Sequence, residues 1–381
     1  MDNDNFSGDW RLPQNKSDCA YRFVISKTLE PNGLRGTVSL FESIVDDLGR
    51  EHSYWLWHKI EARVVNDVLI GKSVATTLHH ENGELLSSDM VKDIINTGKI
   101  QYPKFFTFEA KQLEGALDIK WEVTYPNGFK TENSGIFSKS ILPSRTTIPI
   151  QRKSWEGFKK WAFEQKDGLW FRGQASPKPL QSSFHRTGNA DIVYYFDELI
   201  PVLEDHINSV SAYCYNSFSD RDLGALLNLA QHHGYPTPLL DWSLSVYVAA
   251  FFAFENRYSL SPNDDPVIFV LDERKLISDK NGRGATIRTP IPTVNSVKLA
   301  NISNPRALPQ QAMTMYSNVV DIEQYLLNQL GSEDIQAISI PAEERDIIMR
   351  DLKSMGINWS TLFPGLDGVC KQLKFNHFEY K

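Results

Sequence analysis

Between residues 21 and 139 apolar and polar side chains alternate in short runs, at 21–29, 36–45, 53–65, 105–110 and 119–125. Alternation with a period of two predicts strands that bury one face. Asn32-Gly33 and Asn127-Gly128 fall between such runs, and this dipeptide readily supplies the positive φ angles of a tight hairpin turn. Residues 117–137 are therefore expected to form a hairpin. Residues 87–97 break the pattern, with Met90, Val91, Ile94 and Ile95 at helical spacing behind a run of capping residues. The first domain, residues 1–142, reads as mostly antiparallel β, a small sandwich or barrel.

Residues 141–149 contain two prolines and several β-formers without a clean period, as suits an extended connector. Helical periodicity follows. Residues 154–165 place Trp155, Phe158, Trp161 and Ala162 on one face behind the capping residue Ser154, and a strand is predicted at 169–171. Residues 191–218 read as a long aromatic-rich helix, 223–232 as a shorter one and 247–255 as an apolar one. The run 266–271 is mostly apolar and ends in charges, the mark of a buried strand. Residues 150–381 are thus expected to form an α/β or α+β domain with helices around a central sheet.

Length supports this division, since 381 residues exceed what one core usually organises. A net charge of −7 with both signs spread along the chain excludes a dominant phosphate-binding face, though a local groove for nucleic acid remains open. Cys19, Cys214 and Cys370 are distant and odd in number, which supports neither a disulfide framework nor a thiolate metal site. The polar start Met1-Asp2-Asn3-Asp4-Asn5 lacks the features of a secretory signal. The longest apolar stretch, at 246–254, is about 9 residues against the roughly 20 that a membrane span needs. A cytoplasmic protein without a membrane segment is expected.

Two stretches carry the densest chemistry. Trp170-Phe171-Arg172-Gly173-Gln174 is predicted to place a guanidinium where a strand runs into a glycine turn, flanked by aromatics. Such an arginine suits bidentate recognition of phosphate or carboxylate, or equally a structural clamp on a buried acid. In Gln231-His232-His233-Gly234-Tyr235-Pro236-Thr237-Pro238-Leu239-Leu240-Asp241-Trp242-Ser243, two histidines end a helix and a rigid loop leads to a carboxylate. Read singly, Asp241 or Ser243 is a cap for the next helix, and a histidine complements a helix dipole. Read together, they converge on one ligand. No metal site is expected, because side chains of adjacent histidines point apart and no Cys or His follows at ligand spacing.

Phe171-Arg172-Gly173-Gln174, residues 180–186, residues 231–243, Asn304-Pro305-Arg306 with Gln310, and residues 361–368 are similar, in order, to the motifs of the FRG-domain family. The resemblance spans residues 150–375 and leaves the first domain unassigned. That family in turn resembles ADP-ribosyltransferases, and the likeness implies such a fold for the second domain. It implies NAD as cofactor, with Arg172 and Gln174 on its pyrophosphate side, Trp242 or Ser243 marking the second element, and Gln310 in the third position. His233, Asp241 and Gln310 are the implied catalytic set. Cleaving the nicotinamide–ribose bond calls for a carboxylate near the ribose. A glutamine carries no charge, so Asp241, Glu323 or a lesser role for the acid has to fill that need. The chain also departs from the family pattern at Pro238, where arginine is usual, and at Ala312, where glycine is common.

The resemblance implies an NAD-using ADP-ribosyltransferase-like enzyme, a bacterial or phage toxin or antiviral defence effector whose β domain selects a protein or nucleic-acid target. The alternatives are a non-catalytic nucleotide- or nucleic-acid-binding module, and a hydrolase or nuclease using His233 and Asp241 as acid and base.

Overall fold

The computed structural model describes residues 6–12, 21–27, 33–45, 51–80, 85–96, 102–256, 264–276, 287–288, 292–302, 304–331 and 333–379. Asn32 and Cys19, singled out above, lie outside them. Packing divides the chain into two compact units. The first comprises Met1–Ile141, Phe184–His206 and Arg283–Thr293; the second comprises Leu142–Ser183, Ile207–Gly282 and Val294–Lys381.

The first unit is built on a closed barrel of eight antiparallel strands: β1 (Gly8–Arg11), β2 (Tyr21–Lys27), β3 (Gly33–Val45), β4 (Glu51–Val65), β5 (Val68–His80), β6 (Phe105–Leu113), β7 (Ala116–Thr124) and β8 (Lys130–Lys139). Each pairs with the next, and Trp10 opposite Lys139 closes β1 onto β8. The alternation read from sequence fills the interior. On β6, Phe106, Phe108 and Ala110 point in while Thr107 and Glu109 point out. Phe23, Ile25, Leu117, Ile119 and Phe137 complete that core. The expected hairpin is β7–β8, turned at Gly128 with φ 82°. A second tight turn, at Asn66-Asp67 with φ 49° and 64°, joins β4 to β5 and carries no glycine. The expected helix is Ser88–Asn96, and it packs Val91 and Ile94 on Leu56 and Leu78. Met90, assigned to the same face by spacing, is 44% exposed, and the Ile95 side chain lies outside the described residues.

Asp9, Arg22 and His58 are among the polar residues buried in this barrel. The Asp9 carboxylate accepts from Arg22 Nε at 2.8 Å, Arg22 Nη2 at 3.0 Å and Arg11 Nη2 at 2.9 Å. Burial works to raise the pKa of Asp9, but the two guanidiniums hold it well below the usual carboxylate range. His58 is pushed down to about 4 by burial; its Nδ1 lies 2.8 Å from Thr76 Oγ1, and its ring meets Phe106 edge-on.

The segment Phe184–His206 joins the same unit. The Arg35 guanidinium lies 3.0 Å over the Tyr194 ring, and Lys59 Nζ lies 3.7 Å from Glu198. Asp191, 3% exposed, accepts from Tyr194 N at 3.1 Å, and burial raises its pKa to about 6. The long helix read over 191–218 is a succession of Ile192–Tyr194, the π-turn Tyr195–Leu199 and Ile200–Val210, and it stops eight residues early. The cause is local. Asn208 donates to Tyr215 O at 2.9 Å and accepts from Tyr215 N at 2.8 Å, so its side chain folds the following segment back.

The second unit holds a seven-stranded sheet in the order β13-β14-β11-β10-β12-β15-β9. Its strands are β9 (Ile150–Arg152), β10 (Leu169–Gln174), β11 (Leu239–Ser243), β12 (Val267–Asp272), β13 (Val294–Val297), β14 (Ala312–Ser317) and β15 (Ile335–Ser339). All neighbours are antiparallel except β15 and β9. One core joins Phe171, Ile268 and Val270 to Trp155, Phe251, Met349 and Trp359, whereas the other joins Trp170, Leu240, Trp242 and Phe269 to Ile322 and Leu326. Alternate residues of β10 and β12 thus feed opposite faces of the sheet.

Two stability predictions follow from the barrel interior. Removing one member of a buried ion pair strands the other, so Asp9→Ala is expected to cost about 3–5 kcal/mol in denaturant unfolding, with Asp9→Leu/Arg22→Met recovering most of it. His58 has a lower pKa folded than unfolded, so between about pH 6.5 and 4 the unfolded chain binds the extra proton and stability falls as pH falls. Relative to His58→Phe, the wild type should lose up to about 1.4 kcal/mol per pH unit in that window; parallel pH profiles for the two proteins would contradict this.

Candidate functional site

The glycine after Arg172 does not make a turn. Strand β10 runs on through Gln174, with Gly173 paired to Ile268. A Cβ on Gly173 would stand 1.9 Å from Ala249 O, so the missing side chain lets the helix Val246–Phe254 lie directly on the strand. Arg172, one residue before, is therefore held on a central strand. Its Nη1 donates to Asp241 O at 2.5 Å, its Nε reaches Gln174 Oε1 at 3.4 Å, and Gln174 in turn donates to Lys178 O at 2.9 Å.

Asp241 and Ser243 do not cap the following helix; they lie in β11, opposite Thr314 and Ala312, and Ser245 is the cap. The Asp241 side chain is exposed at the edge of this cluster. Its Oδ1 accepts from Gln231 Nε2, while Gln231 Oε1 accepts from the buried Thr237 hydroxyl. Thr237 N donates to Ser183 Oγ at 2.9 Å. Both sequence stretches thus end on one aspartate.

The two histidines separate as expected. His233 is the C-cap residue of the helix Asp220–His232 and is exposed. His232 is half-buried; burial pushes its pKa down, the Asp241 carboxylate pulls it up, and Arg306 and His233 add to the downward push. The charges of Asp241 and Arg306 therefore both act on His232. Arg306 donates to His232 O at 3.2 Å, lies 3.9 Å from Asp367 and has its guanidinium 5.4 Å from the Phe363 ring centre. Its backbone N–H is held by Asn304 Oδ1, and Asn304 donates to Asn228 on the same helix as His232. His232 falls four residues after the buried Asn228, on the same helical face, and that spacing was readable in the sequence.

Other expected site residues are engaged elsewhere. Trp242 is 3% exposed within the sheet core, and its indole N–H has no hydrogen-bond partner. The Ser243 hydroxyl donates to Gln310 O at 2.7 Å, and Gln310, 8% exposed, donates to Leu362 O at 2.9 Å. Glu323 is fully buried and accepts from Thr146 Oγ1, Thr147 N, Thr147 Oγ1 and Leu180 N at 2.7–3.0 Å. Its carboxylate fastens the connector to the domain. Pro238 is buried with its carbonyl accepting from Ser317 N, and Ala312 lies in β14, the left-handed backbone falling on Gln311 with φ 47°. Among the described residues no group of three or more His, Cys, Asp or Glu could hold a metal ion, and no helix is long and apolar enough to cross a membrane.

The geometry brings two guanidiniums, an imidazole whose pKa burial lowers and an exposed carboxylate to the antiparallel part of the sheet. Residues 167–261, which contain Arg172, Gln231, His232 and Asp241, match the FRG domain family, and the chain carries an FRG domain there. No curated protein and no solved structure matches the chain.

Stability and site chemistry should separate by mutation. Glu323→Ala strands several buried donors and is expected to cost at least about 3 kcal/mol, whereas Asp241→Ala, at an exposed side chain, should stay within about 1 kcal/mol of wild type. Denaturant titrations of the two variants check this, and equal losses would remove the distinction.

Proposed function

We propose that this chain is an ADP-ribosyltransferase-like enzyme that uses NAD in the cytoplasm, as a toxin or antiviral defence effector whose barrel domain selects the target. One observation carries the reading: Asp241 presents an exposed carboxylate at the point where Arg172 and Gln231 converge. The acid that the chemistry calls for then has an owner, because Glu323 is committed to the connector and Gln310 to Leu362.

The residues fit the cofactor by charge. Arg172 and Arg306 are suited to the two phosphates, since a guanidinium matches phosphate oxygens bidentately. Asp241 would face the ribose, where it stabilises positive charge developing as the bond to nicotinamide weakens. His232, whose pKa burial lowers, would be the proton acceptor for an incoming hydroxyl or water. Trp242 supports the β11 strand from within the core, so it acts on ligand geometry indirectly.

Incubation with NAD labelled in the adenylate and, separately, in nicotinamide tests this. Wild type should release nicotinamide or transfer label, Asp241→Asn should lose on the order of 100-fold or more in rate, and Arg172→Ala should bind NAD more weakly. No NAD loss or transfer by wild type, or full activity in Asp241→Asn, would refute the assignment. The uncharged Gln310, in the turn before β14, favours a second reading, a non-catalytic nucleotide- or nucleic-acid-binding module, which saturable NAD binding without turnover would select.

A further inference from the structure

We infer that Thr237 is a positioning residue for the Asp241 carboxylate, acting through Gln231; the inference rests on the reading of Asp241 as the acid of the site. A glutamine side chain presents either a donor or an acceptor, and its two ends are nearly equal in shape. Beside a carboxylate, the wrong end brings two oxygens together. The carboxylate only accepts and so selects the Nε2 end, and the group behind the amide holds the other end in place. The Thr237 hydroxyl donates to Gln231 Oε1, which takes up the carbonyl end and leaves Nε2 to donate to Asp241 Oδ1.

Thr237 is itself fixed. It is 0% exposed, so no solvent competes for its hydroxyl. Its backbone N–H donates to Ser183 Oγ at 2.9 Å, and the Ser183 hydroxyl lies 3.2 Å from Thr237 O. Pro238 follows directly and removes one backbone freedom, and its carbonyl is held by Ser317 N at 2.9 Å. The order of support is therefore Ser183, Thr237, Gln231, Asp241. Only the last of these is exposed, and the first three are partly or fully buried. One carboxylate oxygen is spent on Gln231, which fixes the side-chain torsion and so the direction in which the other oxygen faces. A hydroxyl at 237 is needed for this arrangement, and the threonine methyl is not.

The test uses the full chain, labelled with 15N. In wild type the two side-chain amide protons of Gln231 should be separately resolved, with one shifted downfield and protected from solvent exchange by Asp241. Thr237→Ser should keep that signature. Thr237→Val, which preserves shape and deletes the hydroxyl, should lose it while backbone signals elsewhere stay in place. NAD turnover measured on the same samples should fall on the order of tenfold or more in kcat with KM little changed for Thr237→Val, and recover in Thr237→Ser. An unprotected Gln231 amide in wild type, or an identical signature in Thr237→Val, would overturn the inference. If Thr237→Val does not fold, the wild-type and Thr237→Ser spectra decide it. Absence of turnover in wild type would count against the NAD reading alone, because the amide signature judges the positioning role independently.

Discussion

Asp241 receives a hydrogen bond from each of two distant stretches of chain, from Arg172 on its main-chain carbonyl and from Gln231 on its carboxylate. The first bond depends on β10 and β11 being neighbours in the sheet. The second depends on the end of the helix Asp220–His232 returning to that same strand. If either approach failed, the arginine and the carboxylate would no longer share a site. Gly173 lies under this arrangement, because any side chain there would collide with Ala249 O and push the helix Val246–Phe254 off the strand that carries Arg172.

The acids of the second unit divide by what they touch. A buried carboxylate survives only when its charge is met by donors, and Glu323 meets that condition with four hydrogen bonds from the connector and from Leu180. Those partners leave it nothing to offer a ligand. The Asp241 carboxylate accepts from Gln231 and lies exposed, so it keeps the capacity to act on something outside the protein. The sequence shows both residues as plausible acids. Their difference exists only after folding, since the donors to Glu323 come from 143 to 177 positions away.

This marks the limit of what was legible beforehand. Where burial follows one period, β2, β3, β4, β6 and β7 were readable to within about three residues, and the hairpin β7–β8 and the helices Trp155–Phe163 and Val246–Phe254 within one or two, whereas β1 and β5 were not read. Where a single tertiary contact decides, the local signal misled. Gly173 looks like a turn glycine because its neighbours do not reveal a helix crossing above. Residues 211–218 look helical because the spacing of apolar residues does not show that Asn208 will capture Tyr215. Of the site, Arg172, Gln231 and Asp241 were visible as dense polar chemistry. His232 and His233 were not separable by composition, and Arg306 gained its place only when Asn304 and Asn228 met.

The arginines make the same point in electrostatic terms. Arg22 in the barrel donates through Nε and Nη2 to both oxygens of the Asp9 carboxylate, a pairing that compensates a charge carried out of water. Arg172 and Arg306 are aimed by main-chain carbonyls, Asp241 O and His232 O. A carbonyl carries a dipole and no net charge, so it fixes the direction of a guanidinium without neutralising it, and at Arg306 the Asp367 carboxylate adds a pairing at 3.9 Å. On the proposed reading, such aiming would give the site a preference for anions that a chain of net charge −7 does not have as a whole. The same two carbonyls belong to the residues that supply the carboxylate and the imidazole, so cation placement and acid–base placement are set by one piece of backbone.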